Sequence, residues 1–450
     1  MASVTDLQQV VNDVAADAGV PGAAVGVIHD GIATTFTTGT TSVDAPVPVH
    51  DRTLFMIGST TKTVTATAIL SLVDEGAVEL DSRVVEIMPE LPLAAREAHD
   101  TLTLRHLLTH TGGFEGDVVD SDDWDNDAIA RSVASYGQLA QYTAPGSAFS
   151  YSNAGFRLVG RLLEVITGLP YETAVRERVL APLGMTDSFY FPWEVFSRRH
   201  AVGHSVDESG SASVAHTWGL GRSGAAEGGL VSSIADQLKY MQFHLDGTAA
   251  GRAPLSIALR SEMQSRQATA APPFDGVGLP WLLVDMFGTT AVTHGGNIAG
   301  IQRSTMTLLP QDGFAVTVLA NSGAGGALGD AITTWCFENL LGRVANEPFS
   351  STLLPDAELE PFCGTWDSGT WGMKLTPAEG MLRAEFFLSE ELADDVKLLP
   401  PPMPLAFCAP DEIIHPQSPE TLFGRFERDD QGLVARLLCQ GRALRRVDRA

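Results

Sequence analysis

What most constrains this chain is a hydrophobic period that switches from helical to strand-like and back, and becomes strand-like for good near the C-terminus. Leu7, Val10, Val11 and Val14 fall at i, i+3, i+4 and i+7, the pattern of an amphipathic helix that Gly19 can end. From Ala23 to about Ser42 the chain is β-rich, with Asp30-Gly31 as a hairpin signal between apolar runs. Residues from about 59 to 245 read mostly as helices and loops. One clear helix there runs from about Ala154 to Ile166 and stops at Gly168 ahead of Pro170. Strands return near Ala291–Thr293, Thr305–Leu309 and Phe314–Ala320, and a helix at about Leu328–Leu341 follows. After Asn346-Glu347-Pro348-Phe349-Ser350-Ser351 only short β segments remain, broken by Gly, Pro and charge. The pattern predicts a mixed α+β domain over residues 1–345, a linker over 346–357 and a small β domain over 358–450, long enough for one barrel.

Charge narrows the partners. The 450 residues hold 29 Lys+Arg against 55 Asp+Glu, a formal charge of −26, and only four of the bases are lysines: Lys62, Lys239, Lys374 and Lys397. A nucleic acid or an acidic membrane surface is therefore no partner for the surface as a whole. No uninterrupted apolar stretch is long enough to span a bilayer. Met1 to Leu7 lacks a basic region followed by an apolar core, which predicts a cytoplasmic protein. Cys336, Cys363, Cys408 and Cys439 form no C-x-x-C pair and read as reduced thiols.

Against that background, Phe55-Met56-Ile57-Gly58-Ser59-Thr60-Thr61-Lys62 stands out, because good helix formers follow it as far as Glu75. Ser59 falls at a helix N-terminus and Lys62 one turn later on the same face. A serine hydroxyl is a poor nucleophile until a base removes its proton, and a desolvated lysine can do so. The same residues also fit an N-capping serine followed by a solvated lysine. Tyr151-Ser152-Asn153 precedes a helix and sets a phenol and a carboxamide at alternate positions. His294-Gly295-Gly296 follows an apolar strand, its glycines letting a substrate approach the backbone. His106/His110 and His200/His204 have metal-ligand spacing, but no H-E-x-x-H occurs and no metal is expected. No G-x-S-x-G elbow is present, which argues against an α/β-hydrolase; Gly323-Ala324-Gly325-Gly326 lacks the Lys-Ser/Thr of a phosphate loop and reads as a helix lead-in, and no cofactor is expected.

In this order, the three segments resemble the penicillin-recognising serine enzymes, the superfamily of class C β-lactamases, D-Ala-D-Ala carboxypeptidases, related esterases and D-amino-acid peptidases. Their motifs S-x-x-K, Y-x-N and (K/H)-x-G are matched by Ser59/Lys62, Tyr151/Asn153 and His294/Gly296. Arg105 to Gly113, Pro182-Leu183-Gly184-Met185 and Gly228-Gly229-Leu230 are also similar, so the resemblance covers about residues 5–342. It implies a β-lactamase/transpeptidase-like antiparallel sheet flanked by helices. In the tail, Gly364-Thr365-Trp366 is similar to the opening of the lipocalin-like barrels appended to some members.

The resemblance also implies roles. Ser59 attacks an acyl carbon, Lys62 and Tyr151 share general base and acid work, and Asn153 holds Lys62 and touches the substrate amide. His294 completes the proton network, and Gly295 and Gly296 line the substrate. The backbone N–H groups of Ser59 and Asn297 form the oxyanion hole. A histidine at the third motif departs from the β-lactamase pattern. The tail's basic run Gly441-Arg442-Ala443-Leu444-Arg445-Arg446-Val447-Asp448-Arg449 either lays a solvated edge strand or supplies Arg442, Arg445 or Arg446 as a carboxylate clamp. The combination resembles the penicillin-binding-protein-type thioesterases. These stand-alone enzymes take a peptide ending in a D-residue from a carrier thioester and cyclise it onto its N-terminal amine. A cytosolic esterase or D-amino-acid peptidase is the alternative, and a catalytically silent peptide-binding sensor is the third reading.

Overall fold

The computed structural model describes residues 4–118, 124–207, 209–388 and 399–447. Helix α1 (Leu7–Asp17) buries Leu7, Val11 and Ala15, the face its periodicity predicts. Strands β1 (Gly22–His29) and β2 (Ile32–Gly39) form the expected hairpin, with Asp30 and Gly31 at φ 51° and 74°. Two consecutive left-handed residues make a turn whose twist matches that of paired strands.

The N-terminal hairpin joins strands from the other end of the domain in one antiparallel sheet. With β3 (Gly276–Val277), β4 (Leu282–Met286), β5 (Thr289–Ile298), β6 (Gln302–Leu309) and β7 (Phe314–Ala320), the order is β2-β1-β7-β6-β5-β4-β3. Ala23 pairs with Ala320 and Ile28 with Ala315, so the sheet cannot close until both ends of the domain are present. Both faces of β1 and β7 are buried. One packs on α1 and helix α4 (Gly325–Asn339), the other on the helical layer between residues 59 and 245. At the centre of that layer lies helix α2 (Thr61–Asp74), buried on every side from Thr61 to Leu72, which is why it shows no amphipathic stripe. Helix α3 (Asn153–Thr167) starts where Ser152 Oγ accepts the Gly155 N–H and ends at Gly168, φ 68°.

The tail is a closed eight-stranded antiparallel barrel, from Gly364–Asp367 to Arg442–Arg446, sealed by Trp366 opposite Arg446 and Asp367 opposite Arg445. Trp366, Phe407, Phe426, Leu437 and Leu444 fill its interior. This is the α+β sheet and small barrel that the resemblance implies. The stretch read as a linker is partly docked, because Phe349, Thr352 and Leu354 donate backbone N–H bonds to Pro419, Phe407 and Gly380 of the barrel. The barrel in turn sits on the main domain. Leu438 and Ala443 pack with Phe149, Ala270, Ala271 and Leu282, while Gly441 donates to the Pro272 carbonyl and accepts from the Tyr151 N–H. No helix among the described residues is long and apolar enough to cross a membrane. The four cysteines are free thiols, and burial raises their pKa values above the usual range.

Candidate active site

Ser59 lies in one 3-10 turn, Gly58–Thr60, that runs directly into α2. Gly58 has φ +53°, and a Cβ there would stand 2.8 Å from the Asn297 nitrogen, so both conformation and space call for glycine. One turn on, Lys62 is fully buried. Its ammonium nitrogen is 3.1 Å from Ser59 Oγ and donates to Asn153 Oδ1 and to the Glu227 carbonyl, each at 2.7 Å. It also stands 4.9 Å from the centre of the Tyr151 ring. Burial is the largest influence on this amine and outweighs the Glu227 and Asp117 carboxylates, bringing its pKa down to about 7. The alternative of a solvated lysine is thereby excluded.

Tyr151 hydrogen-bonds Ser59 through its hydroxyl, and burial pushes the phenol above its ordinary range. It stacks on His110, a residue not singled out as a site residue from the sequence, although it lies in a segment noted as similar to the family. His110 sits at φ +55° and accepts the Ser152 N–H on Nδ1 at 3.0 Å. His294 is buried on β5, with Nδ1 2.9 Å from the Gly295 carbonyl. That contact requires hydrogen on Nδ1, and burial takes the imidazole pKa down to about 3. Nε2 is then an acceptor without a partner.

Strand β5 pairs with β4 only as far as Thr293, so its next residues turn an edge toward Gly58 and Ser59. Contact there is close: a Cβ on Gly296 would lie 1.9 Å from the Ile57 carbonyl, and Ser304 Oγ donates to the same carbonyl at 2.6 Å. The pairing sets Asn297 beside the serine turn, while Gly295 stays exposed.

The arginines separate. Arg442 reaches the site, donating to Asp117 Oδ2 at 2.7 Å with its guanidinium 5.6 Å from the Tyr151 ring centre. Arg445 and Arg446 do not fit the expected clamp. Arg445 lies over the Tyr142 ring at 4.4 Å, and Arg446 is held by the Pro361 and Cys363 carbonyls at the barrel end. Alternation turns Arg445 to the face opposite Arg442, and Arg446, on the same face as Arg442, lies four residues further along the strand. Arg449 lies outside the described residues. The four histidines at metal-like spacing are each engaged in local structure, and the described residues hold no group of three metal-binding side chains.

Sequence reasoning missed three further residues. Asp117 Oδ1 accepts from Asn153 Nδ2 at 2.5 Å. Glu227 takes Arg157 in a two-pronged ion pair, Nε–Oε2 2.6 Å and Nη2–Oε1 3.2 Å, with both side chains buried. Glu227 adjoins Gly228-Gly229-Leu230, a segment already noted as family-like; nothing in the sequence marks Asp117. Together the site offers a hydroxyl, an amine that is half deprotonated near neutral pH, a phenol that keeps its proton, and backbone N–H groups beside the serine. These are the requirements of acyl transfer through a serine ester.

Comparison with known proteins agrees. The family model described as Beta-lactamase matches residues 7–334. Penicillin-binding protein 4 of Amycolatopsis lactamdurans is 31% identical over 360 residues, spanning 77% of this chain and 93% of that protein. The chain belongs to the β-lactamase family and is a serine hydrolase/acyltransferase. Among solved structures, SurE superposes with TM-score 0.77 at 28% identity, covering 98% of this chain and 99% of its own, so the likeness includes the barrel. D-amino acid amidase from Ochrobactrum anthropi superposes with TM-score 0.62 at 25% identity, over 73% of this chain and 97% of its own.

Proposed function

We propose that the chain forms an acyl-Ser59 intermediate and macrocyclises a nonribosomal peptide thioester that ends in a D-residue. Neutral Lys62 takes the Ser59 proton as Oγ attacks the thioester carbonyl, and the N–H groups of Ser59 and Asn297 stabilise the oxyanion. The C–S bond breaks, and the thiol leaves with a proton passed through the Lys62–Tyr151 pair. The peptide's N-terminal amine then attacks the serine ester. As the C–O bond breaks, the amine's proton returns to Ser59 and an amide is left. Asn153 holds Lys62 and faces the substrate amide, His294 offers Nε2 as an acceptor, and Gly295 and Gly296 leave room for the acyl chain. The substrate arrives on a carrier protein, and the enzyme acts in the cytoplasm.

The observation that carries this reading is the full-length likeness to SurE, which has also been solved with D-Leu; the similarity takes in both domains and not the catalytic fold alone. The likeness to a D-amino acid amidase favours a D-configured acyl group too. It also supports a second reading, a hydrolase in which water releases the acyl group. The two are separated by offering a linear peptide thioester with a C-terminal D-residue and analysing the products by mass. Cyclic peptide at neutral pH supports the first reading, and release of the linear acid alone at every pH sinks it.

A further inference from the structure

The active site is not built by one domain. Arg442 extends from the last barrel strand, across a position where Gly116 has no side chain; a Cβ there would stand 2.1 Å from Arg442 Nη1. The guanidinium holds Asp117 at 2.7 Å, Asp117 accepts from the Asn153 carboxamide at 2.5 Å, and the other end of that carboxamide accepts from Lys62 at 2.7 Å. A carboxamide presents oxygen at one end and N–H groups at the other, so an unpinned Asn153 could turn its NH2 toward the Lys62 ammonium. Asp117 accepts only, and it therefore fixes which end faces Lys62. The contact is seated by the barrel hairpin, where Ala443 donates to Ser150 Oγ at 3.3 Å and Gly441 accepts the Tyr151 N–H at 2.9 Å.

We propose that Asp117 and Arg442 are positioning residues, through which the C-terminal barrel orients Asn153 and so completes the Ser59–Lys62 pair. The inference rests on the acyl-Ser59 reading and assigns Arg442 to the enzyme's own carboxylate in place of a substrate's. Charge supports it. The groups facing Lys62 are Glu227 and Arg157 from the helical layer, Asp117, Arg442 from the barrel, and Tyr151, His110 and His294. The phenol and both imidazoles are held neutral by burial. What remains is two carboxylates and two guanidiniums, a balanced set around one amine. Removing Arg442 leaves an excess negative charge that favours the ammonium; neutralising Asp117 leaves an excess positive charge that favours the amine.

The test is the second-order rate of fluorophosphonate labelling at Ser59 between pH 5 and 9, on the full chain. Arg442→Ala moves the acid limb up by about one unit and slows labelling at pH 6 about tenfold. Asp117→Asn, which keeps the shape and the acceptor oxygen, moves the limb down. Arg442→Lys holds it near the wild-type position. A purely structural role would not shift the limb in opposite directions. Limbs that stay in place, or that move the same way in both neutralising variants, overturn the proposal. Should Arg442→Ala fail to fold, an unmoved or raised limb in Asp117→Asn overturns it alone. Undiminished labelling of Ser59→Ala overturns the acyl-Ser59 reading beneath it, which is a separate outcome.

Discussion

Tyr151 and His110 stack with ring centroids 4.4 Å apart and planes 26° from parallel. The stack holds the phenol where its hydroxyl meets Ser59, while burial keeps that hydroxyl protonated. Tyr151 is thus suited to donate a proton and Lys62 to accept one. Tyr151→Phe is expected to slow acylation by about 10²–10⁴, in line with loss of a positioned acid–base group, without moving the acid limb of the pH–rate profile. Fluorophosphonate labelling measures both. Disappearance of the limb in Tyr151→Phe would transfer the base role to the phenol.

The amine of Lys62 sets where that limb lies. With its pKa near 7, labelling rises about tenfold per pH unit below 7 and levels off above it. A limb near the pH 10 of an exposed lysine would contradict this.

The same depression has a stability consequence. In the unfolded chain Lys62 regains an ordinary pKa near 10.5, so between about 7 and 10.5 the unfolded state binds more protons. Stability arising from this group therefore rises with pH across that window. Relative to Lys62→Met, the wild type should gain in Tm as pH is raised from 7 to 10, and scanning calorimetry of both reads the difference. A constant gap would show that the lysine is charged in the fold.

Arg157 and Glu227 form the buried ion pair behind Lys62, with side chains 6% and 8% exposed. Taking away one partner strands the other, so Arg157→Met should cost about 3–5 kcal/mol of stability. The stranded carboxylate would also hold Lys62 as the ammonium and raise the acid limb. Urea unfolding gives the first quantity and the labelling profile the second; a loss below about 1 kcal/mol would mean that Glu227 finds another cation.

Gly296→Ala forces a methyl group onto the Ile57 carbonyl at 1.9 Å. The edge of β5 must retreat from the serine turn and carry the Asn297 N–H with it. Acylation is expected to fall about 10²–10³, the usual loss for one oxyanion donor. Gly295→Ala, whose Cβ meets nothing nearer than 3.5 Å, should leave it within a few-fold. Equal losses at both positions would point to a steric effect on the probe.

Much of this was legible because local rules carry it. The Asp30-Gly31 turn, the capped helix after Ser152 and the Ser59–Lys62 spacing are properties of neighbouring residues. Asp117 was not legible. It lies in a loop with no motif, and its meaning depends on Asn153 and on Arg442, 325 residues further along. The docking of the segment around Thr352 is hidden from the sequence for a related reason: its composition is that of a loop, and its backbone partners lie in barrel strands and a turn distant in sequence. Alternation along the last strand does separate Arg442 from its neighbour Arg445 in register, but only the packed barrel reveals which face meets the cleft.

The barrel's interior is filled by its own side chains, so what it brings to the cleft besides Arg442 is a turn, Gln440-Gly441, with φ 49° and 73°. This makes the turn a place where the rim of the cleft can be altered. Residues exchanged there change the rim of the cleft without repacking either core. A library at position 440 should favour Asn, Asp and Gly, which tolerate left-handed backbone, and exclude Val, Ile and Thr. Grafting longer turns at this point alters the rim of the cleft from the barrel side alone.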